Sequence, residues 1–275
     1  MIASASNENY RRWLELLSSR GIKKHGQFLL FGAKVVEEVL KSVAKTASEE
    51  RAAKPSQNTL LELIVPQEGE PVSLPIRETK GLRVMTVSAD LFKEIDVFGT
   101  RSPILVARAP EFSAWDPNSE PTGLELLCPV GDPSNLGALL RSALAFGVSK
   151  VVLLKECAHP LHPKSVRALS SNPFLLACET GPSLKEILES KPKALVALDL
   201  EGQTISDFKW PKAARLLLGE EGPGFSTGPA IRERASVNEG MTRLKIPVSA
   251  NVESLNVMVA GSIALHSYRA AHPFD

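Results

Sequence analysis

Three loops in the second half of the sequence combine amide, hydroxyl, guanidinium and carboxylate groups with glycines. In the first loop, "VGDPSNLGALLRSALAFGV", Asp132, Ser134 and Asn135 suit a helix N-cap, so a capped crossover helix is the plain interpretation. Gly137 costs such a helix roughly 1 kcal/mol relative to alanine, which makes sense if a ligand approaches the backbone closely. Arg141 lies on the helix flank, either as a ligand contact or as a surface side chain whose charge reaches water.

The second loop, "LLLGEEGPGF" (Leu216 to Phe225), bends sharply at three glycines and a proline and holds two carboxylates. It differs from the G-x-G-x-x-G fingerprint because no helix follows in register and because its acidic pair would repel a pyrophosphate. Exposed backbone N–H and C=O groups could instead bind an uncharged ring such as adenine. An ordinary tight turn is the alternative.

The third loop, "IPVSANVESLNV", follows a strand that ends at Pro247. Ser254, Leu255 and Asn256 are predicted in the first turn of an apolar helix, where unpaired N–H groups and the helix dipole favour polar ligand atoms. The alternative is that Ser254 only caps the helix. The run from Val257 to Leu265 is apolar all round, which predicts burial within the domain or against a second subunit.

The elements that position these loops are short apolar runs alternating with helical segments. This pattern is typical of a parallel sheet covered on both faces, whose ligands bind beyond the carboxyl ends of the strands. The predicted strands are residues 124–130, 150–154, 194–200, 214–219 and 243–248.

Composition sets the broad class. The chain has 275 residues, 43% of them hydrophobic, and a formal net charge of +1, as expected for a globular protein of two domains. Cys128, Cys157 and Cys178 lie far apart in the sequence and lack metal or disulfide spacing, so we expect reduced thiols. The start of the chain has no signal-peptide pattern and no window suits a membrane span, which predicts a cytoplasmic protein.

The first half predicts a small α/β module over residues 1–110, followed by a proline-rich linker over 111–123. It carries 16 Lys and Arg against 13 Asp and Glu, a difference of +3, so its overall charge is only mildly basic. A solvated charged turn and a phosphate-binding loop both explain the basic cluster near its start. The clustered residues are Arg20, Lys23, Lys24, His25 and Lys34.

Taken together, the motifs "NLGALLR", "LGEEGPG" and "IPVSANVESLNV" resemble, in order and strand context, those of the SpoU branch of the SPOUT class of RNA methyltransferases. The resemblance covers Leu124 to about Arg269. The stretch "KHGQFLLFGAKVVEEVL" is similar to that family's substrate-binding domain, a ribosomal-protein-like α/β module. "FGTRSPILVA" replaces a family stretch like "TPQG", which affects the expected details of substrate binding.

The resemblance implies an α/β fold with a knotted (trefoil) parallel-sheet methyltransferase domain over residues 124–275. It further implies S-adenosylmethionine as cofactor, RNA as substrate, a homodimer, and neither a metal nor a membrane partner. The implied cofactor-binding residues are Leu198, Leu218, Gly219, Gly222, Ile246, Pro247, Val248, Leu255 and Asn256. The implied catalytic residues are Asn135, Arg141, Glu221, Ser254 and Asn256.

The implied reaction is attack of a ribose 2′-hydroxyl on the cofactor's methyl group. A hydroxyl is a weak nucleophile at neutral pH, so its proton must be removed or polarised. Arginine is a poor base, and we therefore expect Arg141 to hold a phosphate or stabilise the alkoxide while Asn135 orients the ribose. Glu221 would position one of them or steer a proton.

Ribosomal RNA is the expected substrate, because the two-domain layout resembles rRNA-modifying members of the family more than tRNA-modifying ones. A tRNA 2′-O-methyltransferase and a non-catalytic RNA-binding or ribosome-assembly protein are the alternatives. The latter predicts loss of Asn135, Arg141 or Asn256, and all three are present. A nucleotide-dependent hydrolase is disfavoured because the chain lacks a phosphate-loop motif, and "HPLHP" lacks zinc spacing.

Overall fold

A computed structural model describes residues 1–45, 59–68, 81–190, 192–219 and 241–274 of the chain. The chain divides into two compact units, residues 1–111 with 159–175 and residues 112–158 with 176–275. The sequence-based boundaries place residues 159–175 in the second half. In the structure this segment packs with the first unit instead.

Helices and strands alternate through both halves of the chain. Those of the first half are α1 (Glu8–Glu15), α2 (Ser19–His25), β1 (Gln27–Leu30), α3 (Ala33–Lys45), β2 (Leu60–Pro66), β3 (Arg83–Val87), α4 (Ala89–Ile95) and β4 (Ile104–Arg108). Those of the second half are β5 (Leu124–Cys128), α5 (Pro133–Ala145), β6 (Lys150–Leu153), α6 (Pro163–Leu169), β7 (Cys178–Thr180), α7 (Leu184–Ser190), β8 (Leu195–Thr204), β9 (Ala214–Leu217), β10 (Met241–Lys245) and α8 (Val257–Ala271).

The first unit is built on a mixed sheet with the strand order β1-β4-β2-β3. β4 pairs antiparallel with β1 and β2, and β3 pairs parallel with β2. Apolar side chains from α1, α4 and the sheet form one core, in which Trp13 is fully buried. The α/β architecture expected for this half is therefore present.

Residues 159–175 join the first unit through aromatic and polar contacts. The rings of Phe28 and Phe174 pack edge to face with centroids 5.8 Å apart. Asn172 donates a hydrogen bond from Nδ2 to the Ser42 hydroxyl at 3.3 Å. α6 lies against β1 and buries Val166. These contacts explain why a segment from the second half of the sequence completes the first unit.

The second unit contains an all-parallel sheet with the strand order β10-β8-β9-β5-β6-β7. This confirms the predicted parallel α/β fold, since β5, β6, β8, β9 and β10 all lie where apolar runs predicted strands. β7 was missed because it has only three residues and none of them is fully buried. Because all of these strands are parallel, the loops that follow their carboxyl ends leave the sheet at the same edge.

The pairing of β8 with β10 is interrupted. Arg243 pairs with Ala197, but the next residue, Leu244, pairs with Gln203, so part of β8 bulges from the ladder. Gly202 lies in this bulge with φ +139°, and a Cβ there would be 2.4 Å from the Arg243 carbonyl oxygen. The bulge therefore requires glycine at this position.

The segment predicted as a linker is fastened to the second unit. Ala114 forms a β-bridge with Thr180, and Trp115 is buried. Arg215, itself fully buried, donates from Nε to Glu125 Oε2 at 3.0 Å. Its Nη2 also donates to the Ser119 carbonyl oxygen at 2.5 Å. One buried arginine thus ties the linker backbone to β5 and β9.

The three cysteines, which are distant in sequence, come together because β5, β6 and β7 are neighbouring strands. All three are free thiols. A hydrogen bond with Cys128, followed by burial, raises the pKa of Cys157 well above its ordinary value. Burial raises the pKa of Cys178 to about 12. At neutral pH both groups are protonated thiols.

Among the described residues, no helix is both long and apolar enough to cross a bilayer. None of the His, Cys, Asp and Glu side chains of these residues cluster in a way that could hold a metal ion.

Candidate functional site

The predicted cofactor-binding residues leave the sheet at one edge. Ala197 of β8 pairs with Leu217 at the end of β9, so Leu198 in β8 and Leu218 just after β9 follow this pair. Leu218 is buried and Leu198 partly so. β10 runs parallel beside β8 and ends at Lys245, which brings the chain after it to this edge. The strand order therefore collects apolar side chains where a ligand is expected.

The loop after β10 is open to solvent. Pro247 and Val248 are exposed, whereas Ile246 and Leu255 are partly buried. Val248 has 40% of its surface exposed and Val252 has 50%, which is unusual for valine. The loop thus presents apolar surface beside the sheet edge. Of the other predicted residues, Gly219 is described and partly buried; Glu221 and Gly222 lie outside the described residues.

Asn135 is positioned by the cap of α5. The side chain of Asp132 accepts hydrogen bonds from the backbone nitrogens of Ser134 and Asn135, at 2.9 and 2.8 Å. Pro133 occupies the first helical position, where its missing N–H has no cost. The N-cap is therefore Asp132, and Asn135 lies in the first turn of α5.

Asn256 caps α8 and also contacts α5. Its Oδ1 accepts hydrogen bonds from the backbone nitrogens of Met258 and Val259, at 2.9 and 3.4 Å. Its Nδ2 donates to Asn135 Oδ1 at 3.4 Å. Two residues 121 positions apart in the sequence are thus joined at the starts of two packed helices.

The position of Ser254 differs from the sequence-based expectation. α8 begins at Val257 with Asn256 as its N-cap, so Ser254 and Leu255 precede the helix instead of occupying its first turn. The alternative that Ser254 caps the helix is also wrong, because Asn256 accepts the capping bonds. Ser254 is exposed in the loop.

Arg141 projects from a different part of α5 than Asn135. Six residues turn an α-helix through about 240°, which separates their directions. Arg141 is exposed, and within the described ranges its side chain forms no hydrogen bond or ion pair. The structure therefore brings Asn135 and Asn256 together, and leaves Arg141 on the solvent side of the same helix.

Close packing of α5 against α8 holds the two asparagines in register. Ser142 and Ser262 share a hydrogen bond of 2.8 Å between their hydroxyls. A Cβ on Gly261 would lie 2.8 Å from Leu139 Cδ1 and 3.2 Å from Leu218 Cδ1. Gly261 thus lets α8 approach both α5 and the residue predicted to line the cofactor.

Gly261→Val is expected to destabilise the protein by about 1–3 kcal/mol, because it overpacks the helix contact. The displaced Leu218 and Asn256 should also weaken binding of S-adenosylmethionine. Urea unfolding and calorimetric titration measure the two effects. Ala270→Val adds the same side chain at an exposed position of α8 and serves as the control. Equal stability of the two variants would contradict this account of Gly261.

Within one chain α8 is buried on one face only, so of the two expected kinds of burial the one against a second subunit stays a prediction for the other face. Gly261, Ala264 and Leu265 are buried, whereas Val259 and Ile263 have 38% and 36% of their surfaces exposed. These two residues are four apart and therefore lie on one face. α8 consequently has an inner face against α5 and an outer apolar face.

The basic cluster of the first unit is helical and partly neutralised. Helix α2 carries Arg20, Lys23, Lys24 and His25. The prediction that these residues form a charged turn is therefore wrong. Lys24 Nζ and His25 Nε2 both contact Glu15 Oε2, at 2.7 and 2.6 Å. The hydrogen bond from Lys24, then that from His25, lowers the pKa of Glu15.

Lys23 and Lys34 differ from that paired group. Both side chains are exposed. Burial lowers the pKa of His159 to about 4, and the charge of Lys23 adds to this effect, which places Lys23 near residues 159–162. Lys34 lies in the first turn of α3. The structure therefore distributes the predicted RNA-binding residues over two helices.

Two residues important for this geometry were not singled out from the sequence. Asp132 was one of three possible N-caps of α5. The proline that follows it favours Asp132 over the other two, because proline is common at the first helical position. Gly261 had no such signal, because a helical glycine can be explained only once its neighbour is known. Both act by positioning Asn135 or Asn256.

Comparison with known proteins finds a family match over the part of the chain that contains α5 and most of α8. A family model described as the SpoU rRNA Methylase family matches residues 126–266. Ribosomal RNA small subunit methyltransferase G 2 of Syntrophobacter fumaroxidans is 37% identical over 97% of this chain. The chain spans only 48% of that relative's length, about half.

Two further proteins match this chain over nearly their full length. The 23S rRNA (guanosine(2553)-2'-O)-methyltransferase RlmP of Bacillus subtilis is 26% identical, with 98% of both chains covered. The crystal structure of an AdoMet-bound rRNA methyltransferase from Sinorhizobium meliloti has a TM-score of 0.76 at 21% identity. It covers 100% of this chain and 98% of its own, which shows a shared fold.

Proposed function

Because the chain belongs to the SpoU rRNA Methylase family, we propose that it methylates a ribose 2′-hydroxyl of RNA with S-adenosylmethionine. Ribosomal RNA is the proposed substrate. The similarity of this chain to RlmP, which extends over 98% of both chains, supports this choice. The proposed location is the cytoplasm.

The contact between Asn135 and Asn256 carries the proposal. The two asparagines come from the first and third motifs, and they meet at the helix starts beside the sheet edge. Amides at this position can donate to and accept from a ribose hydroxyl.

The residues at the sheet edge suit the proposed cofactor. Leu198 and Leu218 offer apolar contacts for an adenine ring, and the exposed Val248 extends that surface along the loop. The adjoining loop backbone can supply the polar contacts. When bound there, S-adenosylmethionine supplies an electrophilic methyl group. Ile246, Pro247, Leu255 and Gly219 are proposed to hold it with these residues, as is Gly222 outside the described residues.

The chain's own residues would orient the nucleophile and its charge. The Asn135 backbone nitrogen donates to the Asp132 cap and its side-chain Oδ1 accepts from Asn256 Nδ2, and we expect this amide to orient the ribose. Arg141 would stabilise the developing alkoxide or hold the adjacent phosphate. Ser254 and Glu221 are proposed to assist, Ser254 by a hydrogen bond and Glu221 by positioning a partner or steering a proton.

RNA binding is proposed for the first unit. Arg20, Lys23 and Lys34 present exposed charge toward phosphates. Lys24 and His25 would contribute only if RNA competes with Glu15 for them, because both already contact its carboxylate. Because residues 1–110 carry a net charge of only +3, a few side chains must provide most of the electrostatic attraction to RNA.

A homodimer and a trefoil knot complete the proposal. The exposed Val259 and Ile263 give α8 an apolar outer face that a second copy would cover. Sedimentation equilibrium of the purified chain tests this, and a monomer at micromolar concentration would rule it out. For the knot, the all-parallel sheet and the return of α8 onto α5 give support.

Nucleoside mass spectrometry tests the reaction. Unmodified ribosomal RNA and tRNA are incubated separately with the protein and S-adenosylmethionine, then digested to nucleosides. A 2′-O-methylated nucleoside is expected from the ribosomal RNA. A mark only in tRNA would change the substrate class, and a methylated base would overturn the ribose mechanism. No mark in either pool would favour a non-catalytic RNA-binding protein.

A further inference from the structure

We propose that Arg167, Phe98 and Arg101 form a binding site for a single-stranded nucleotide in the first unit. An unpaired RNA base would stack against Arg167 and Phe98, and a backbone phosphate would bind Arg101. The site deepens the proposed function and rests on RNA being the substrate. It lies where the turn after β1, the loop between α4 and β4, and α6 meet.

Arg167 and Phe98 form a cation–aromatic pair. Arg167 Cζ lies 5.9 Å from the centroid of the Phe98 ring. The ring is itself fixed by Phe31, whose centroid is 5.0 Å away at an interplanar angle of 87°. Arg167 is exposed and Phe98 partly so. Guanidinium planes and aromatic rings are the surfaces on which proteins stack unpaired bases.

Arg167 also lacks the partners that occupy other arginines. Arg215 and Arg243 donate to carboxylates, and Arg269 donates to backbone carbonyls. In the parts of the chain that the structure describes, the Arg167 guanidinium has neither kind of partner. Its five N–H donors therefore remain available to a base edge or a phosphate.

The backbone around the pair leaves room for this arrangement. Gly32 has φ +93°, and a Cβ there would lie 3.3 Å from Arg167 Nη1. A side chain at this position would press against the guanidinium, and the positive φ would strain its backbone. Lys34, already proposed to bind RNA, is exposed two residues further on.

The loop that carries Phe98 and Arg101 is held in an unusual conformation. Asp96 is buried, and its carboxylate accepts hydrogen bonds from Thr100 Oγ1 at 3.1 Å and from the Arg101 backbone nitrogen at 2.7 Å. Arg101 has φ +53°, in the left-handed region that non-glycine residues seldom adopt. Such backbone strain persists where neighbouring groups enforce it, and it concentrates at ligand sites.

α6 gives Arg167 a firm base. Val166 and Leu169, on either side of it along the helix, are buried in the first unit. The arginine therefore extends from a packed helix, and its stem is fixed before RNA arrives. Sites built on rigid elements lose less side-chain freedom on binding.

Fluorescence anisotropy with a short single-stranded oligoadenylate tests the site directly. Arg167→Ala is expected to raise the Kd about tenfold, and Phe98→Leu by a smaller factor. Arg167→Lys keeps the charge but not the plane, so most of the loss should remain. Arg101→Ala should lower the slope of log K against log salt by about 0.7.

Arg11→Ala is the matched control, since Arg11 is an exposed arginine on α1 of the same unit. It should change the Kd less than twofold. Unchanged affinity in both Arg167→Ala and Phe98→Leu would overturn the proposal. Full affinity in Arg167→Lys would overturn the stacking, and an equal loss for an RNA duplex of the same length would overturn the preference for single strands.

These outcomes are separate from the proposed function. If oligoadenylate binds through Arg167 but the protein transfers no methyl group, the binding site is supported and the methyltransferase assignment is wrong. Conversely, methyl transfer with an unchanged KM for RNA in Arg167→Ala would leave the enzyme standing and remove this site. Calorimetric titration of S-adenosylmethionine should give the same Kd for the parent and all four site variants.

Discussion

Arg141→Ala is expected to lower kcat for ribose methylation by a factor of about 10² to 10³, because it removes a group that stabilises developing negative charge. Arg141 is exposed on α5. Its loss should therefore leave the free energy of unfolding almost unchanged. Single-turnover methylation of ribosomal RNA with labelled S-adenosylmethionine measures the rate of the chemical step.

Two variants sharpen this test. Arg141→Lys keeps a charge without the planar guanidinium and should recover part of the rate if charge stabilisation dominates. Lys185→Ala removes an exposed cation from α7 in the same unit and should leave the rate near that of the parent. Near-parental turnover of Arg141→Ala would exclude its proposed role.

Arg215→Met is expected to lower the free energy of unfolding by about 3–5 kcal/mol, because Glu125 is left as a buried carboxylate without its main partner. Arg215 Cζ also lies 5.0 Å from the centroid of the Trp115 ring. Its guanidinium donates hydrogen bonds to the backbone carbonyls of Pro117, Ser119 and Lys193. Urea unfolding followed by tryptophan fluorescence gives the change.

A double-mutant cycle separates the ion pair from the rest of this network. Arg215→Met and Glu125→Leu are measured alone and together. The double variant should be less destabilised than the sum of the single variants, because neither charge is then left buried without its partner. It should not regain the parental stability, since the linker carbonyls still lose their donor. Strict additivity would show that the pair is not coupled.

The sequence predicted the strands of the second unit because a parallel strand buried on both faces is mostly apolar. β5, β6 and β9 each have this character, with a single charged residue apiece: Glu125, Lys150 and Arg215. β3 escaped prediction because two of its five residues are exposed and its apolar pattern is incomplete. Short or half-exposed strands are defined by their pairing partners, which a local pattern does not contain.

The candidate site divides in the same way. Asn135 and Asn256 could be named from their motifs, but their contact depends on how closely α5 approaches α8, which Gly261 sets. Ser254 was misplaced because serine, asparagine and aspartate are nearly equal as N-caps, so sequence alone does not fix the start of a helix. The pairing of Lys24 and His25 with Glu15 likewise needed the packing of α1 beside α2.

The path of residues 159–175 has a practical consequence for anyone who wishes to dissect this protein. The chain leaves the second unit at Ala158, contributes α6 to the first unit and returns at Leu176. A truncation starting near residue 112 would carry Val166, Leu169 and Phe174 without the surface that buries them. Such a fragment should be prone to aggregation, and a shortened version would need this segment replaced by a polar connection.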